Sequence, residues 1–209
     1  MDYKNFVTRI ISSLFLIFVF FIIFFYFTEN IFYFISIAYI FILIEIILNF
    51  KKFKTILISY ILVSYIFALI YFSYNFNIYE FVAIIFLIIC FDTCCYLVGK
   101  KYGKRKILFK ISPNKTYEGL IGGILITNLI SLTLLFNIDL TIFTINHNII
   151  FFTNIVICFS FFGDVIQSFF KRINSLKDSS NVIPGHGGFF DRFDSFLLVI
   201  IFVSLLNLI

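Results

Sequence analysis

The sequence predicts an all-α membrane protein, a bundle of about seven transmembrane helices with a cytoplasmic N-terminus. Of its 209 residues, 62% are hydrophobic and only 13% are charged, whereas a soluble domain is about half apolar and a quarter charged. The mean hydropathy is +1.09, and the apolar stretches are separated by short polar connections. These observations exclude an ordinary soluble domain and leave no room for a separate catalytic one.

Seven apolar stretches are long enough to cross a bilayer as helices, because a spanning helix needs about 20 mainly apolar residues. The predicted spans are 10–27, 31–49, 56–75, 78–98, 119–136, 148–170 and 189–209. Lys4 and Arg9 precede the first stretch, as they would in a signal peptide. That stretch is long and no small-residue cleavage site follows it, so we interpret it as the first span.

The basic residues predict the orientation of these helices. When seven spans alternate from a cytoplasmic N-terminus, all 16 basic residues fall on the cytoplasmic side, as the positive-inside rule requires. The two long cytoplasmic loops are then 99–118 and 171–188, and the C-terminus is outside. The net charge of +5 therefore reports sidedness, and nucleic acid is not expected as a partner, since the bases flank spans.

The polar residues divide the chain into two predicted parts. Residues 1–77 form N-terminal transmembrane helices without a recognisable motif, and residues 78–209 form catalytic transmembrane helices with the two loops. All four cysteines fall inside predicted spans without zinc-ligand spacing, so neither a zinc site nor a disulfide framework is indicated. Any chemistry is expected at the cytoplasmic membrane face.

Acidic side chains near the cytoplasmic ends of the spans are the candidates for that chemistry. Asp164, Ser168 and Lys171 share one helix face by their i, i+4, i+7 spacing. Asp191 and Asp194 are predicted to share a face of the next helix with Ser195. Two antiparallel helices joined by one loop would present Asp164 and Asp191 to each other. Asp92, with Thr93 and Tyr96, is expected to line the same cavity.

Acids beside bases at a membrane face indicate phosphoryl or nucleotidyl transfer. Carboxylates without a histidine on the same face suit Mg²⁺ or Mn²⁺. Four cations nearby, Lys171, Arg172, Lys177 and Arg192, suit a substrate with several phosphates. The alternative is a salt-bridge network that only stabilises helix packing.

A glycine-rich turn precedes the last predicted span. Gly185, Gly187 and Gly188 allow the backbone to approach a ligand closely, and such a turn entering a helix can direct N–H groups at a phosphate. His186 is either a proton donor or phosphate ligand, or a residue that holds its own loop in place. Both interpretations stay open.

The polar positions in this region follow a specific pattern. Ser168 to Asp194 reads S-x-x-K-R-x4-K-D and then P-x-H-G-G-x-x-D-R-x-D; Gly163-Asp164 precedes it, and an upstream run extends from Asp92 through Ser112-Pro113-Asn114-Lys115-Thr116-Tyr117-Glu118-Gly119 to Gly123. This pattern resembles the phosphatidate cytidylyltransferase (CDP-diacylglycerol synthase) family over residues 92–194. Cys94-Cys95 and Lys100 depart from it, and the N-terminal half is shorter than in typical members.

The resemblance implies that CTP and phosphatidate are the substrates, that CDP-diacylglycerol and pyrophosphate are the products, and that Mg²⁺ or Mn²⁺ is the cofactor, with a monovalent cation as a further ion. It implies Asp164 and Asp191 as metal ligands. The predicted catalytic residues are Asp164, Lys171, Arg172, Lys177, Asp178, His186, Asp191, Arg192 and Asp194. The predicted substrate-binding residues are Asp92, Ser112, Lys115, Thr116, Glu118, Ser168, Gly187 and Gly188.

We assign the four basic side chains, Lys171, Arg172, Lys177 and Arg192, to binding substrate phosphates. We assign Lys115 to the nucleotide or the lipid headgroup, and Asp178 and Asp194 to orienting other groups or to an additional metal contact. The expected location is the cell membrane, which is the inner membrane if the protein is bacterial. A homodimer is the assembly that we consider for this chain. Two alternatives remain: a cytidylyltransferase acting on another lipid phosphate, and a cation- or proton-coupled transporter. A transporter would place polar groups near the midplane, whereas here they cluster at one face.

Overall fold

The computed structural model describes residues 18, 22, 30–74, 76–135, 149–185 and 187–208. Within these residues the chain forms six helices and one two-stranded hairpin. The helices are α1 (Ile31–Asn49), α2 (Lys54–Ser73), α3 (Ile78–Tyr102), α4 (Tyr117–Leu135), α5 (Ile149–Ile173) and α6 (Asp194–Asn207). The strands are β1 (Lys106–Leu108) and β2 (Ser112–Thr116).

The helices support the prediction of a membrane protein. Among the described residues, α1, α2, α3 and α5 are long and apolar enough to cross a bilayer. The apolar parts of α4 and α6 are shorter. The predicted first span, 10–27, lies outside the described residues except for positions 18 and 22. The mainly helical fold is therefore confirmed, while the count of seven and the orientation stay predictions.

The segment 99–118, predicted as a loop of an all-α protein, contains the two strands. The all-α prediction is therefore wrong for this segment. Helix α3 continues to Tyr102, because Lys100 and Lys101 in its last turn favour the negative end of the helix dipole. An antiparallel hairpin follows, in which Lys106 pairs with Thr116 and Leu108 with Ser112.

The last helix begins later than predicted. The apolar run 189–209 predicts one helix, but α6 begins at Asp194. The backbone N–H groups of Arg192 and Phe193 close a turn on the Phe189 carbonyl. Asp191 therefore lies in this turn, and the prediction that it shares a helix face with Asp194 is wrong. Helix α5 ends at Ile173, so Lys171 lies in its last turn and not in a loop.

The chain divides into two compact units, which are described separately. The Asp191 unit comprises Met1–Tyr65 and Phe170–Phe193, and the Asp164 unit comprises Ile66–Phe169 and Asp194–Ile209. The fully buried side chains of the Asp191 unit include Tyr39, Ile42, Ile46, Phe50, Leu57 and Ile61, and those of the Asp164 unit include Ile84, Leu87, Phe91, Val156, Leu197 and Ile200. The predicted division into 1–77 and 78–209 followed the distribution of motifs and stays a prediction.

Candidate active site

A cavity of about 290 Å³ in the Asp164 unit collects several of the predicted site residues. Its lining includes Asp92, Ser112, Lys115, Thr116, Phe161 and Asp164. These side chains come from α3, β2 and α5. Asp92, Tyr96 and Asp164 thus line one cavity within this unit, as expected. Thr93 is not among the lining residues, and its hydroxyl donates to the Ile89 carbonyl at 2.7 Å.

Lys115 and Asp164 form an ion pair in this cavity. The Lys115 Nζ lies 2.7 Å from Asp164 Oδ2 and 4.5 Å from the centre of the Phe161 ring. Ser168 donates a hydrogen bond from its hydroxyl to Asp164 Oδ1, at 3.2 Å. The Asp164 Oδ2 atom therefore faces the Lys115 ammonium group, and the positive charge of Lys115 balances the negative charge of Asp164.

Glycines at the ends of α3 and α4 position the hairpin beside the cavity. A Cβ atom on Gly99 would lie 2.9 Å from Thr116 Oγ1, and one on Gly119 would lie 2.7 Å from the Cys95 carbonyl oxygen. Only glycine lets the two helices approach this closely, as is common where membrane helices pack. Thr116 is consequently buried, and its hydroxyl accepts the Gly119 N–H at 3.1 Å.

Glu118 fixes the base of the hairpin from the first turn of α4. Its carboxylate accepts the backbone N–H groups of Lys104 at 3.0 Å and Arg105 at 3.2 Å. Its own backbone N–H and those of Lys104 and Arg105 hold the pKa of Glu118 below its usual value. The observed partners of this predicted substrate-binding residue are thus backbone groups of its own unit.

Gly163 brings the start of α6 close to Asp164. A Cβ atom at this position would lie 2.6 Å from the Asp194 carbonyl oxygen. The Ser195 hydroxyl donates to the Ser160 carbonyl at 3.2 Å, which joins α5 to α6 at the same level. The close approach of the Asp194 carbonyl explains why glycine precedes Asp164.

Asp191 is the centre of a second polar cluster, in the Asp191 unit. Its Oδ1 lies 2.7 Å from Lys171 Nζ. Its Oδ2 accepts the Ser179 N–H at 2.7 Å, the Ser179 hydroxyl at 2.9 Å and the Gly188 N–H at 3.0 Å. Burial raises the pKa of Asp191, but the Gly188 N–H and the Lys171 ammonium outweigh burial and hold this pKa below its usual value.

The glycine-rich turn wraps around carboxylates. Gly187 has a φ of +83°, which favours glycine, and a Cβ there would lie 2.6 Å from Asp191 Oδ2. A Cβ on Gly188 would lie 2.5 and 2.6 Å from the two oxygens of Glu45. The Gly188 N–H, predicted to face a phosphate, here faces Asp191. His186 lies outside the described residues.

Glu45 belongs to the same polar cluster as Asp191, and the sequence analysis missed it. This acid in α1 is 3% exposed. It accepts hydrogen bonds from the Phe189 N–H at 2.8 Å and the Phe190 N–H at 3.0 Å. It also accepts the hydroxyls of Ser179 at 3.0 Å and Ser180 at 2.8 Å. The signal was present, because an acid inside an otherwise apolar span indicates a functional site, but no motif surrounds it.

The predicted site residues are divided between the two units. The Asp191 unit contains Lys171, Arg172, Lys177, Asp178, Gly187, Gly188, Asp191 and Arg192, and the Asp164 unit contains Asp92, Ser112, Lys115, Thr116, Glu118, Asp164, Ser168 and Asp194. The side chains of Lys177, Asp178 and Arg192 are exposed, and Arg172 Nη1 donates to the Leu176 carbonyl at 3.0 Å. The facing of Asp164 and Asp191 stays a prediction.

Comparison with known proteins decides the family. The sequence model of the cytidylyltransferase family matches residues 7–209. The chain belongs to this family. A protein from Staphylococcus aureus (strain COL) named phosphatidate cytidylyltransferase is 42% identical over 118 residues, which cover 55% of this chain and 44% of that protein. A protein of the same name from Staphylococcus haemolyticus is 40% identical over 116 residues, again 55% and 44%.

The resemblance drawn from the motifs is therefore confirmed, and it concerns part of each relative. The matched stretch spans less than half the length of these cytidylyltransferases. It corresponds in length to about half of this chain, which is also the extent of the motif-bearing region.

The donor types in this cytidylyltransferase-family chain fit a divalent cation bound together with substrate. The described residues contain no group of three or more metal-ligating side chains, so a cage made of protein ligands alone is not present among them. Mg²⁺ binds through one or two carboxylates plus substrate phosphates. Asp92 and Asp164 on one cavity, or Asp191 in its cluster, can supply such a carboxylate.

Proposed function

We propose that the protein transfers the cytidylyl group of CTP to phosphatidate, forming CDP-diacylglycerol and pyrophosphate. The observation that carries this proposal is the Lys115–Asp164 ion pair in a cavity that Asp92 also lines, in a chain of the cytidylyltransferase family. The cavity supplies carboxylates and a cation, which are the groups that this reaction needs.

The reaction requires no covalent intermediate on the protein. A phosphate oxygen of phosphatidate is already anionic near neutral pH. It attacks the α-phosphorus of CTP, a new P–O bond forms, and the bond to the β-phosphate oxygen breaks with its electron pair leaving on pyrophosphate. The protein must place the two phosphates in line, reduce the repulsion between two anions and stabilise the leaving group.

The cations are the groups that bind these phosphates. Lys115 would exchange its contact with Asp164 for a phosphate of the nucleotide or of the lipid headgroup. Lys171 would do the same from its contact with Asp191. Arg172, Lys177 and Arg192 would bind further phosphate oxygens, since charge-assisted hydrogen bonds to phosphate are strong. His186 serves as a proton donor or phosphate ligand in this account.

Asp164 and Asp191 are the proposed ligands of Mg²⁺ or Mn²⁺, with Asp178 and Asp194 orienting groups around them or adding a metal contact. When bound, a divalent cation neutralises charge on the phosphates and on the departing pyrophosphate. The assignment of both carboxylates, and of a monovalent cation beside them, rests on the sequence resemblance. Its structural support is that each carboxylate already holds a lysine ammonium within 2.7 Å.

The proposed arrangement in the membrane has seven spans, a cytoplasmic N-terminus and an outward C-terminus, in the cell membrane, with a homodimer as the assembly to test. The basic residues support it. The connection between α1 and α2 contains Lys51 and Lys52, and α2 begins at Lys54. The last turn of α3 contains Lys100 and Lys101, and the last turn of α5 contains Lys171 and Arg172. In alternating helices these three positions lie on one side.

Lipid specificity is the experiment that separates this function from its alternatives. The purified protein is given CTP with phosphatidate, with an ether-linked lipid phosphate, or with diacylglycerol as the matched control without a phosphate. We expect CDP-lipid with phosphatidate and none with diacylglycerol. Preference for the ether-linked phosphate would favour the related enzyme, and ion flux without CDP-lipid would favour a transporter.

A further inference from the structure

The segment 99–116, here named the basic hairpin, concentrates the positive charge of the chain. Seven of the 16 basic residues lie between positions 100 and 115, and no acid lies between Asp92 and Glu118. The rest of the chain has nine bases against eleven acids. The net charge of +5 therefore originates in this segment alone.

Six of these seven cations face outward. Lys100, Lys101, Lys104, Arg105, Lys106 and Lys110 are all exposed, and in the part of the chain that the structure describes none of them lies within 4 Å of a carboxylate oxygen. Glu118 is adjacent, but its oxygens accept backbone N–H groups. Only Lys115 points into the cavity. The outward cations are thus available to an external anion.

An apolar side chain projects between these cations. Phe109, at the turn between β1 and β2, is 73% exposed, and Lys110 follows it. Tyr96 and Tyr102 at the end of α3 are also exposed, and the ammonium groups of Lys100 and Lys101 lie 5.7 Å and 5.2 Å from their ring centres. Aromatic rings among lysines are typical of surfaces that lie in the headgroup layer.

The geometry keeps this segment close to the bilayer. Both ends of the basic hairpin continue directly into apolar helices, and its base is held by Thr116 packed between glycines and by the Tyr117 N–H bonded to the Arg105 carbonyl at 3.0 Å. A strand rises about 3.3 Å per residue, so the tip lies roughly 10 Å from Thr116. The tip therefore stays within roughly 10 Å of the start of the apolar helix α4.

We propose that the basic hairpin binds anionic lipid headgroups at the membrane surface and places Phe109 at the boundary of the acyl chains. Juxtamembrane lysines are attracted to anionic lipids in this way, and phenylalanine buries its ring while the lysine amines stay at the headgroups. The contact would gather anionic lipids beside the cavity. It does not depend on the proposed cytidylyl transfer, because lipid binding precedes any chemistry.

The chain contains no tryptophan, so the variant Phe109→Trp carries a single tryptophan as its reporter. The full chain is reconstituted in phosphatidylcholine bilayers, with or without about one-third phosphatidylglycerol, and quenched by lipids brominated on the acyl chains. We expect blue-shifted emission and quenching about twofold or more stronger in the anionic bilayer, with the difference reduced at high salt. The matched control is Val182→Trp, at an exposed position outside the basic hairpin, for which we expect no dependence on phosphatidylglycerol.

Neutralising the flanking lysines tests the headgroup contact itself. In the Phe109→Trp protein, Lys106→Gln and Lys110→Gln should reduce the effect of phosphatidylglycerol while circular dichroism stays unchanged. Solvent-like emission from Trp in both bilayers would overturn the insertion of position 109. Quenching that is equal with and without phosphatidylglycerol, or that survives both Gln substitutions unchanged, would overturn the anionic-lipid contact. Both readouts are independent of enzymatic activity.

Discussion

The Glu45 carboxylate accepts a hydrogen bond from the Ser179 hydroxyl at 3.0 Å, although 134 residues separate them in sequence. The same hydroxyl lies 2.9 Å from Asp191 Oδ2. Through this shared group, an acid in α1 is linked to the carboxylate that the family motif assigns to the metal. The N-terminal half, which contains no motif, therefore contributes to the position of Asp191.

Glu45→Gln should reduce cytidylyl transfer by about an order of magnitude, because losing hydrogen bonds to a charged group costs about 1.5–3 kcal/mol. A glutamine has one acceptor oxygen, so donors among Ser179, Ser180, Phe189 and Phe190 lose their partner and the turn bearing Asp191 loosens. The measurement is turnover together with thermal unfolding.

The control is Glu80→Gln, a second fully buried acid in a span, whose partner Asn207 can still donate to glutamine. We expect Glu80→Gln to retain turnover. If Glu45→Gln folds and keeps full turnover, the link from α1 to Asp191 has no functional role.

Local patterns were sufficient for some of these features and not for others. The cavity that Asp92 and Asp164 share could be predicted because both acids lie near the same end of apolar helices. The position of Asp191 could not, because its turn is held by bonds to Ser179, twelve residues away, while the apolar run around it predicted a helix. Glu45 could not be found from motifs, since its partners are backbone and serine groups distant in sequence.

Lys171→Ala should lower turnover by an order of magnitude or more, as removal of a charge-stabilising group at a transferring phosphate does. Its ammonium lies 2.7 Å from Asp191 Oδ1, and Arg172→Ala and Arg192→Ala should have effects in the same direction.

Lys51→Ala and Lys52→Ala are the matched controls for these cations. Both side chains are exposed, and only backbone groups bond to Asn174: both N–H groups donate to its side-chain oxygen, and the Lys52 carbonyl accepts its side-chain N–H. Turnover should therefore change little. An equal loss in both groups of folded variants would contradict the assignment of Lys171 to substrate phosphate.

Acidification should destabilise the protein through Asp191. Its pKa is lower in the folded protein than its usual value, so the stabilisation from its charged form is fully present above the usual value. It is lost as the pH falls from about 4 through the folded-state pKa. Asp191→Asn should therefore show a smaller fall in thermal midpoint between neutral and acidic pH. An acid dependence equal to that of the unsubstituted protein would show that Asp191 does not titrate in this way.

The one-sided distribution of the basic residues predicts an outward C-terminus. A cysteine appended after Ile209, in a background without the four natural cysteines, should react with a membrane-impermeant reagent added to intact cells. A cysteine placed at Lys51 should react only after the cells are opened. Reaction of the appended cysteine only in opened cells would mean that one span is miscounted, and the short helices α4 and α6 would be the first to re-examine.

The most direct test of the account measures transfer from labelled CTP to phosphatidate by the purified protein, compared with Asp164→Asn and Asp191→Asn. We expect equal amounts of CDP-diacylglycerol and pyrophosphate, loss of both with EDTA, and recovery with Mg²⁺ or Mn²⁺. Each Asn variant should insert normally and lose nearly all transfer, because it keeps the side-chain size and removes the charged ligand. Folded protein that forms no CDP-diacylglycerol would contradict the proposed function, and substantial metal-dependent transfer by both Asn variants would contradict the carboxylate metal site.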